Sequence, residues 1–414
     1  MSIFYTDIAV IGAGPQALTL VTHLLQKKKK MRDRLNAGLA PGFRVFDPSG
    51  SWLAQWHRQF AAQEIPHLRS PAVHHPDCNP HTLLSFADKR QDELYSPYNR
   101  PGTELFQDFC ETVIDRWHLR DQVTKAQVVG LTPQNGRFRL TLADGQRAIA
   151  RRVVVATGAA TAKMPDWTRQ VCGDYPPERL CHAQSVYLPA LPTLTGETVL
   201  IIGGGLTSAH LAMGALKRGA RVLLMGRRPF KEKIFDAEPG WLGPKYLKGF
   251  DAEPDWHKRW HMIQQARDGG SLTPEALTRL RKLSRESRVS LYEQCQVTKA
   301  VWQGDHWQVQ CDNLASHDCF AHQPIDRIWL ATGTQLDITS HPILEEVLAQ
   351  YPIEIVNGLP VLDEHLRWPG CDLFLMGPWA ALQVGPVARN LFGAKLACDR
   401  IVPALTKSSL VRAA

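Results

Sequence analysis

No run of 18 or more apolar residues interrupts this 414-residue sequence, so no membrane-spanning helix is expected. None of its nine cysteines forms a CxxC or CxxxxC motif, which argues against a redox disulfide and against a zinc site. No charged leader or cleavage site precedes the first apolar stretch, and scattered thiols suit a reducing compartment, so a cytoplasmic location is expected. The net charge is +8, and the one dense basic run, Lys27–Lys30 with Arg32 and Arg34 behind it, lacks interleaved aromatic residues. It reads as part of a solvated loop extending to about residue 42, not as a nucleic-acid surface. His67, His74 and His75 come without the ligand spacing of a metal site, so no metal is expected.

What the sequence does contain is two glycine-rich turns, each following an apolar strand. The first is Ile8-Ala-Val-Ile-Gly-Ala-Gly-Pro-Gln-Ala17 and the second is Thr198-Val-Leu-Ile-Ile-Gly-Gly-Gly-Leu-Thr-Ser208. In the first, Gly12 permits a tight turn, Gly14 lets the backbone approach a diphosphate, and Ala17 is small enough for helix–strand packing. The following helix, over 15–26 and opening with Pro15 and Gln16, would aim its N–H groups at the phosphates. Asp47 ends the next strand, Phe43–Asp47, where it can accept the hydroxyls of an adenosine ribose. It lies farther from Gly14 than the roughly 20 residues usual for such an acid, the lysine-rich segment making up the difference. In the second turn Gly203, Gly205 and Ser208 hold the three positions, with Leu206 and Thr207 between the last two. The strand after it, 221–225, ends in Gly226-Arg227-Arg228 rather than in an acid. Arginines there suit a 2′-phosphate through charge-assisted hydrogen bonds. FAD is therefore expected at the first turn and NADPH at the second.

The composition, 44% hydrophobic and 21% charged, is that of a globular protein, and the length suits two domains. The pattern predicts an amphipathic helix over 102–117, a strand meander over 123–150, a Pro-rich connector, and a helix opening at Thr273-Pro274. Two Ala-Thr-Gly turns, 156–158 and 331–333, fall where the chain is expected to leave and re-enter its first domain. The expected fold is α/β, with two Rossmann-type dinucleotide-binding domains, one inserted in the other. The FAD domain would comprise 1–160 and 330–414, the connector 161–195, and the inserted NADPH domain 196–329.

On GAGPQA, Asp47 with Gly50-Ser-Trp52, Cys181-His-Ala-Gln-Ser-Val-Tyr187, GGGLTS, Gly226-Arg-Arg228 and Asp326-Arg-Ile-Trp-Leu-Ala-Thr-Gly333, the chain resembles the class B flavoprotein monooxygenases. These include the flavin-containing monooxygenases and the N-hydroxylating lysine and ornithine monooxygenases. The resemblance spans nearly the whole chain. It implies that Trp52 lies against the flavin, that Val128 holds the adenine through its backbone, and that His182 sits in the linker near the nicotinamide. It also implies that Thr332 and Gly333 line the cofactor crossing, and that the tail from Gly377 through Gln383 and Gly385 brings a helix N-terminus to the flavin ring. The implied reaction is hydroxylation of an amine nitrogen, or oxygenation of another soft nucleophile, by O₂ through a C4a-hydroperoxyflavin.

The chain departs from the N-hydroxylase pattern in two places. Thr334 follows the LATG turn where those enzymes often carry an aromatic residue or a histidine. Phe230-Lys-Glu-Lys-Ile-Phe-Asp236 aligns with the ornithine enzymes' Phe-Val-Asn-Glu-Ile-Phe-Asn, which puts Glu232 where an asparagine contacts substrate. Glu232, Asp236 and Glu238 are acids suited to a cationic small-molecule substrate. Segments 64–80 and 235–247 are candidate active-site loops. Two rival readings remain open: an NADPH oxidase or reductase without oxygen transfer, and a flavoprotein that senses NADPH without turnover. The sequence does not fix the oligomeric state.

Overall fold

The computed structural model describes residues 3–35, 42–158, 161–313 and 323–406. Strand β1 (Ile3–Ile11) is followed by helix α1 (Pro15–Leu35), strand β2 (Phe43–Asp47), and helices α2 (Ala54–Ala62) and α3 (Thr103–Arg116). A meander follows, made of β3 (Val123–Lys125), β4 (Val128–Gln134), β5 (Arg137–Leu142) and β6 (Arg147–Val155). Its turns fall at Asn135-Gly136 and Asp144-Gly145, with Asn135, Gly136 and Gly145 at positive φ. The meander's last strand runs past the expected limit of 150 to Val155 as one continuous element.

These six strands lie in the order β3-β2-β1-β6-β5-β4 and are joined by a seventh off that path. β1, β2 and β3 are parallel, and β1 pairs in parallel with β6 along its length. The antiparallel β5 covers only the first half of β6. The open second half is taken by β12 (Leu373–Leu375), which returns from the far end of the chain to pair in parallel at Val153–Val155. The middle of this sheet is hydrophobic on both faces: Ile8, Ala9, Val10, Val153, Val154 and Val155 are fully buried, as a covered parallel sheet requires. Helix α1 covers one face with Ala17, Leu18, Val21 and Leu24, all at zero exposure.

Between those crossings lies a second sheet, five-stranded and wholly parallel, in the order β7-β11-β8-β9-β10. Its strands are β7 (Leu180–His182), β8 (Thr198–Ile202), β9 (Arg221–Gly226), β10 (Val289–Glu293) and β11 (Arg327–Leu330). Helix α4 (Leu206–Lys217) follows β8. Helices α5 (Pro244–Ala252), α6 (Trp256–Arg267) and α7 (Pro274–Arg285) lie between β9 and β10. Thr273 caps α7 by accepting the Ala276 N–H on its hydroxyl, with Pro274 at the first helical position. Helix α8 (Leu391–Thr406) closes the chain against α1.

Three elements differ from the sequence-based expectation. The lysine run is helix rather than loop: α1 continues through Lys27–Lys30 to Leu35, because lysine, arginine and glutamine are good helix formers and no breaker intervenes. The rest of the expected loop, 36–41, lies outside the described residues, as do 159–160 at the first expected domain limit. The connector is not wholly irregular, because its Leu180–His182 pairs with Ile328–Leu330 as an edge strand of the second sheet. Helix α5 begins within the expected loop 235–247 and α6 follows it, where no helix is expected from the sequence.

Candidate functional site

The first glycine turn follows directly from β1. Gly12 has φ +99°, and a Cβ there would stand 3.0 Å from the Ala156 carbonyl oxygen, so only glycine passes without strain. Its N–H donates to the Phe46 carbonyl at 2.8 Å. Gly14, by contrast, faces open space, leaving its backbone accessible to a ligand. Pro15 opens α1, and the first helical hydrogen bond runs from the Leu18 N–H to the Gly14 carbonyl. Asp47 is locked beside this turn: the Ala13 N–H donates to Oδ2 at 3.0 Å, and the Ser49 N–H to Oδ1 at 2.9 Å. The Ala126 N–H donates to the Asp47 carbonyl at 3.0 Å, which brings the segment leading to Val128 alongside the acid. Gly12, Gly14, Asp47 and Val128 thus meet at the carboxyl ends of parallel strands, where open α/β sheets bind ligands.

Gln16 ties the far end of the chain to this turn. Its Nε2 donates to the carbonyls of Ala388 and Asn390 at 3.3 and 3.2 Å. Its Oε1 is buried with no hydrogen-bond partner in the protein, an acceptor left for a ligand. Gly377, at φ +66°, lies against the Gln16 side chain. Trp52 is 6% exposed and donates its indole N–H to the Leu119 carbonyl at 2.8 Å. Its immediate surroundings are therefore the core beneath the turn. Gln383 is likewise engaged inward, donating to the Leu362 carbonyl at 2.6 Å and accepting from Arg400. Gly385 at φ +86° turns the chain into the short helical turn Pro386–Arg389. Helix α8 then starts after Asn390, whose Oδ1 accepts the Gly393 N–H.

The second turn repeats the first in its local geometry. Gly203 donates to the Met225 carbonyl at 2.8 Å, and a Cβ on it would fall 2.2 Å from the Ala331 carbonyl oxygen. Ala156 and Ala331 begin the two Ala-Thr-Gly turns, so each of those turns abuts the first glycine of one fingerprint. The Ala156 N–H donates to Ile11, and the Ala331 N–H to Ile202. Gly205, Leu206 and Thr207 open α4, and the Ser208 hydroxyl donates to the Gly205 carbonyl at 2.6 Å. Arg227 and Arg228 lie exposed just beyond β9.

His182 joins the connector to the second crossing. Its Nδ1 accepts the Gln184 N–H at 3.3 Å, which leaves Nε2 as the donor to the Gly333 carbonyl at 3.0 Å. Burial holds its pKa below the usual histidine value, so the ring is neutral. Thr332 donates its hydroxyl to the Lys163 carbonyl, adding a second tie at the same crossing.

The two candidate loops meet. Arg69, from the first, donates Nε to the Ile234 carbonyl (2.8 Å), Nη1 to Asp236 Oδ1 (2.7 Å), and Nη2 to the Lys233 and Phe235 carbonyls (2.6 and 3.1 Å) and to Ser271 Oγ (2.9 Å). Sequence reasoning reached this arginine only as part of a loop, since its partners lie more than 160 positions away. Arg69 and Asp236 line a recess with Val387 and Asn390, next to the turn that Gln16 holds. The recess shares Pro71, His74, Phe235 and Leu242 with a cleft of about 310 Å³ whose outer wall includes Leu84, Tyr98 and Pro239. Burial lowers the pKa of His74 to about 4, so it adds no charge. Of the three acids, Asp236 alone faces this recess. Glu232 is exposed on the strand-like bridge to Leu272, and Glu238 is exposed beside the Tyr246 hydroxyl. His75 is not oriented toward a ligand: its Nδ1 accepts the Asp77 N–H, and its Nε2 lies 3.2 Å from the Pro80 carbonyl. Among the described residues no group of three or more His, Cys, Asp or Glu side chains is placed to hold a metal.

A family model described as FAD-NAD(P)-binding matches residues 9–160. No curated protein matches the chain. Solved structures resemble it over almost their whole length. An ornithine N-hydroxylase from Kutzneria sp. 744, in a complex with reduced FAD, NADP⁺ and L-ornithine, has a TM-score of 0.77 at 16% identity, covering 97% of this chain and 99% of its own. An ornithine hydroxylase from Pseudomonas aeruginosa gives 0.76 at 17%, with the same coverage. The FAD-bound cadaverine monooxygenase of Erwinia amylovora gives 0.76 at 15%, covering 97% and 94%. The chain shares the fold of these proteins: α/β, with one unit built on a mixed sheet and a second on a wholly parallel sheet.

Proposed function

We propose that this protein is an FAD- and NADPH-dependent monooxygenase that uses O₂ to hydroxylate an amine nitrogen of a small molecule. The observation that carries the reading is the asymmetry of two otherwise matching glycine turns: an acid, Asp47, is fixed beside the first, and arginines follow the second. FAD is assigned to 1–160 with 330–414, NADPH to 196–329, and the connector to 161–195. The strand Leu180–His182 argues for counting the connector's end with the NADPH unit. The orphaned Gln16 Oε1 and the open backbone at Gly14 fit FAD at the first turn. The similar structures are two ornithine hydroxylases and a cadaverine monooxygenase, which supports an amine substrate.

In this reading Asp47 accepts the adenosine ribose hydroxyls, and the opening turn of α1 receives the diphosphate. Arg227, Arg228 and the opening turn of α4 at Leu206 and Thr207 hold the phosphates of NADPH, while Ser208, buried with its hydroxyl on the Gly205 carbonyl, shapes that turn. FAD, when bound, supplies hydride acceptance and oxygen activation. Asp236, at the recess, orients the amine: one oxygen is fixed by Arg69, and the other lies 3.9 Å from Arg267. The nearby guanidinium charges favour the unprotonated amine, the form whose nitrogen lone pair can react. The apolar cleft leads the rest of the molecule outward and excludes water. His182 positions the crossing at Gly333 and is assigned no proton transfer. Glu232, on the exposed bridge, is assigned to the rim of the site. No helix among the described residues is long and apolar enough to cross a membrane. A cytoplasmic location belongs to the same reading, as the scattered spacing of the cysteines suits a reducing compartment.

The test is anaerobic mixing of the FAD-loaded protein with NADPH or NADH while recording flavin absorbance. Rapid bleaching by NADPH and slow bleaching by NADH is expected. Equal rates with the two nucleotides, or no bleaching by either, would remove the reading.

A further inference from the structure

The basic residues after the second glycine turn face an anion supplied by the chain itself. Asp268 follows α6 in the left-handed conformation, φ 47°. Its Oδ2 accepts a short hydrogen bond from Lys231 Nζ, and its Oδ1 lies 3.5 Å from Arg228 Nη1. The hydrogen bond from Lys231, with its charge, holds the Asp268 carboxyl below the usual carboxylate range against the opposing cost of desolvation. Lys233 and Arg228 add further attraction. The Arg228 guanidinium rests on the backbone of Gly269, where a Cβ would stand 1.9 Å from Nη2. One residue further on, Gly270 presses against the second glycine turn: a Cβ on Gly270 would lie 2.9 Å from the Gly205 nitrogen and Cα. Hydrogen bonds between Lys231 and Leu272, and between Lys233 and Leu272, hold the segment in place. The stretch Asp268–Gly270 thus runs from the diphosphate position at Gly205 to the ribose position at Arg228, along the path the adenosine half of the dinucleotide takes in folds of this kind.

We propose that the Asp268 carboxylate stands in for the 2′-phosphate of NADPH at Arg228 and Lys231, and that this residue sets the protein's preference between phosphorylated and unphosphorylated nucleotides. The proposal rests on the NADPH reading above and adds a specificity-determining residue to it. A 2′-phosphate must displace Asp268 before it gains the two cations, whereas a ribose without that phosphate leaves the ion pairs intact. Wild-type discrimination is accordingly smaller than two free cations would give. Lys231 also becomes part of the site, together with Arg228, while Arg227 reaches outward without a carboxylate partner among the described interactions.

The experiment uses the full-length protein and titrates adenosine 2′,5′-bisphosphate and adenosine 5′-monophosphate by calorimetry, for the wild type, Asp268→Asn and Asp268→Ser. Asparagine tolerates the left-handed backbone nearly as well as aspartate, so Asp268→Asn retains the local fold. Serine provides a second, independent removal of the charge. The expected result is that both variants bind the bisphosphate about five-fold more tightly or better, the scale of one partly exposed ion pair, while the monophosphate changes by less than about two-fold. High salt should shrink the gain. An equal shift for both ligands would show a merely structural role and overturn the proposal, as would unchanged or weaker binding of the bisphosphate. If the wild type binds neither ligand, both this proposal and the NADPH assignment fall. If the expected pattern appears but no amine is hydroxylated, the proposal stands and the monooxygenase reading falls.

Discussion

Replacing Arg69 by methionine tests whether the two candidate loops form one site. The side chain is 15% exposed and makes five hydrogen bonds of 3.1 Å or less to Asp236, Ser271 and three backbone carbonyls. Methionine retains much of the volume and removes every donor. Each hydrogen bond to a charged group contributes about 1.5–3 kcal/mol, but the five share one guanidinium and do not add. The Asp236 side chain is 44% exposed, so solvent screens its pair with Arg69, and the expected loss is about 1.5–3 kcal/mol, set mainly by the carbonyls left without a donor. Lysine at this position restores the charge without the planar fork, so Arg69→Lys should recover less than half of it. The segment 233–236 carries the exposed carbonyls, so the damage should concentrate there. Limited proteolysis should cut between 229 and 243 in the variant while the two sheets resist. Amine KM should rise because Asp236 loses its anchor. A loss below about 1 kcal/mol in denaturant titration, with an unchanged cleavage pattern, would refute the idea that Arg69 organises the site.

Three further outcomes follow from the geometry. Gly203→Ala places a methyl 2.2 Å from a backbone oxygen, which neither side can yield easily. Nucleotide binding at the second turn should be lost while FAD is retained, and loss of FAD alone would contradict the pairing of turns with cofactors. Asp47→Ala removes an acceptor fixed by Ala13 and Ser49, and FAD affinity measured by flavin release should fall about ten-fold or more. His74 and His75 are buried and His210 is half-buried, and the pKa values of all three are lowered to about 4, chiefly by desolvation. Folded values below the unfolded value of 6.5 mean stability that is fully present above pH 6.5 and lost as pH falls toward 4. Denaturant midpoints between those limits should drop steeply, and His75→Phe with His210→Phe should flatten the slope. An unchanged slope would show that these rings are not buried neutral.

Both glycine turns, the strands before them and the acid after the first were legible because each is a local pattern: strand, turn and helix follow one another in the chain. The Thr273-Pro274 helix start was legible for the same reason. The helix through Lys27–Lys30 was missed because charged residues without apolar spacing look like loop, although their helix propensity is high. Helices α5 and α6 did carry a signal, in Gly243-Pro244 and in Asp255, which accepts the N–H groups of His257 and Lys258 as an N-cap. The strand Leu180–His182 has only three residues, and its partner lies far along the chain. The same separation hid the arrangement of the candidate site. Asp236 was legible as an acid in an odd segment, but neither its tie to Arg69 nor the contact of Asp268 with Arg228 and Lys231 leaves any trace in local sequence. Both are products of tertiary packing between distant loops.

In the proposed reaction electrons pass from a nucleotide at the second turn to a flavin at the first, and then with oxygen onto an amine. The most direct measurement is the amount of N-hydroxylated product formed per NADPH consumed in air, with hydrogen peroxide measured in parallel, across diamines and aliphatic amines. At least one amine is expected for which product approaches one per NADPH and peroxide falls correspondingly. NADPH consumption matched by peroxide for every amine, with no hydroxylated product, would contradict it.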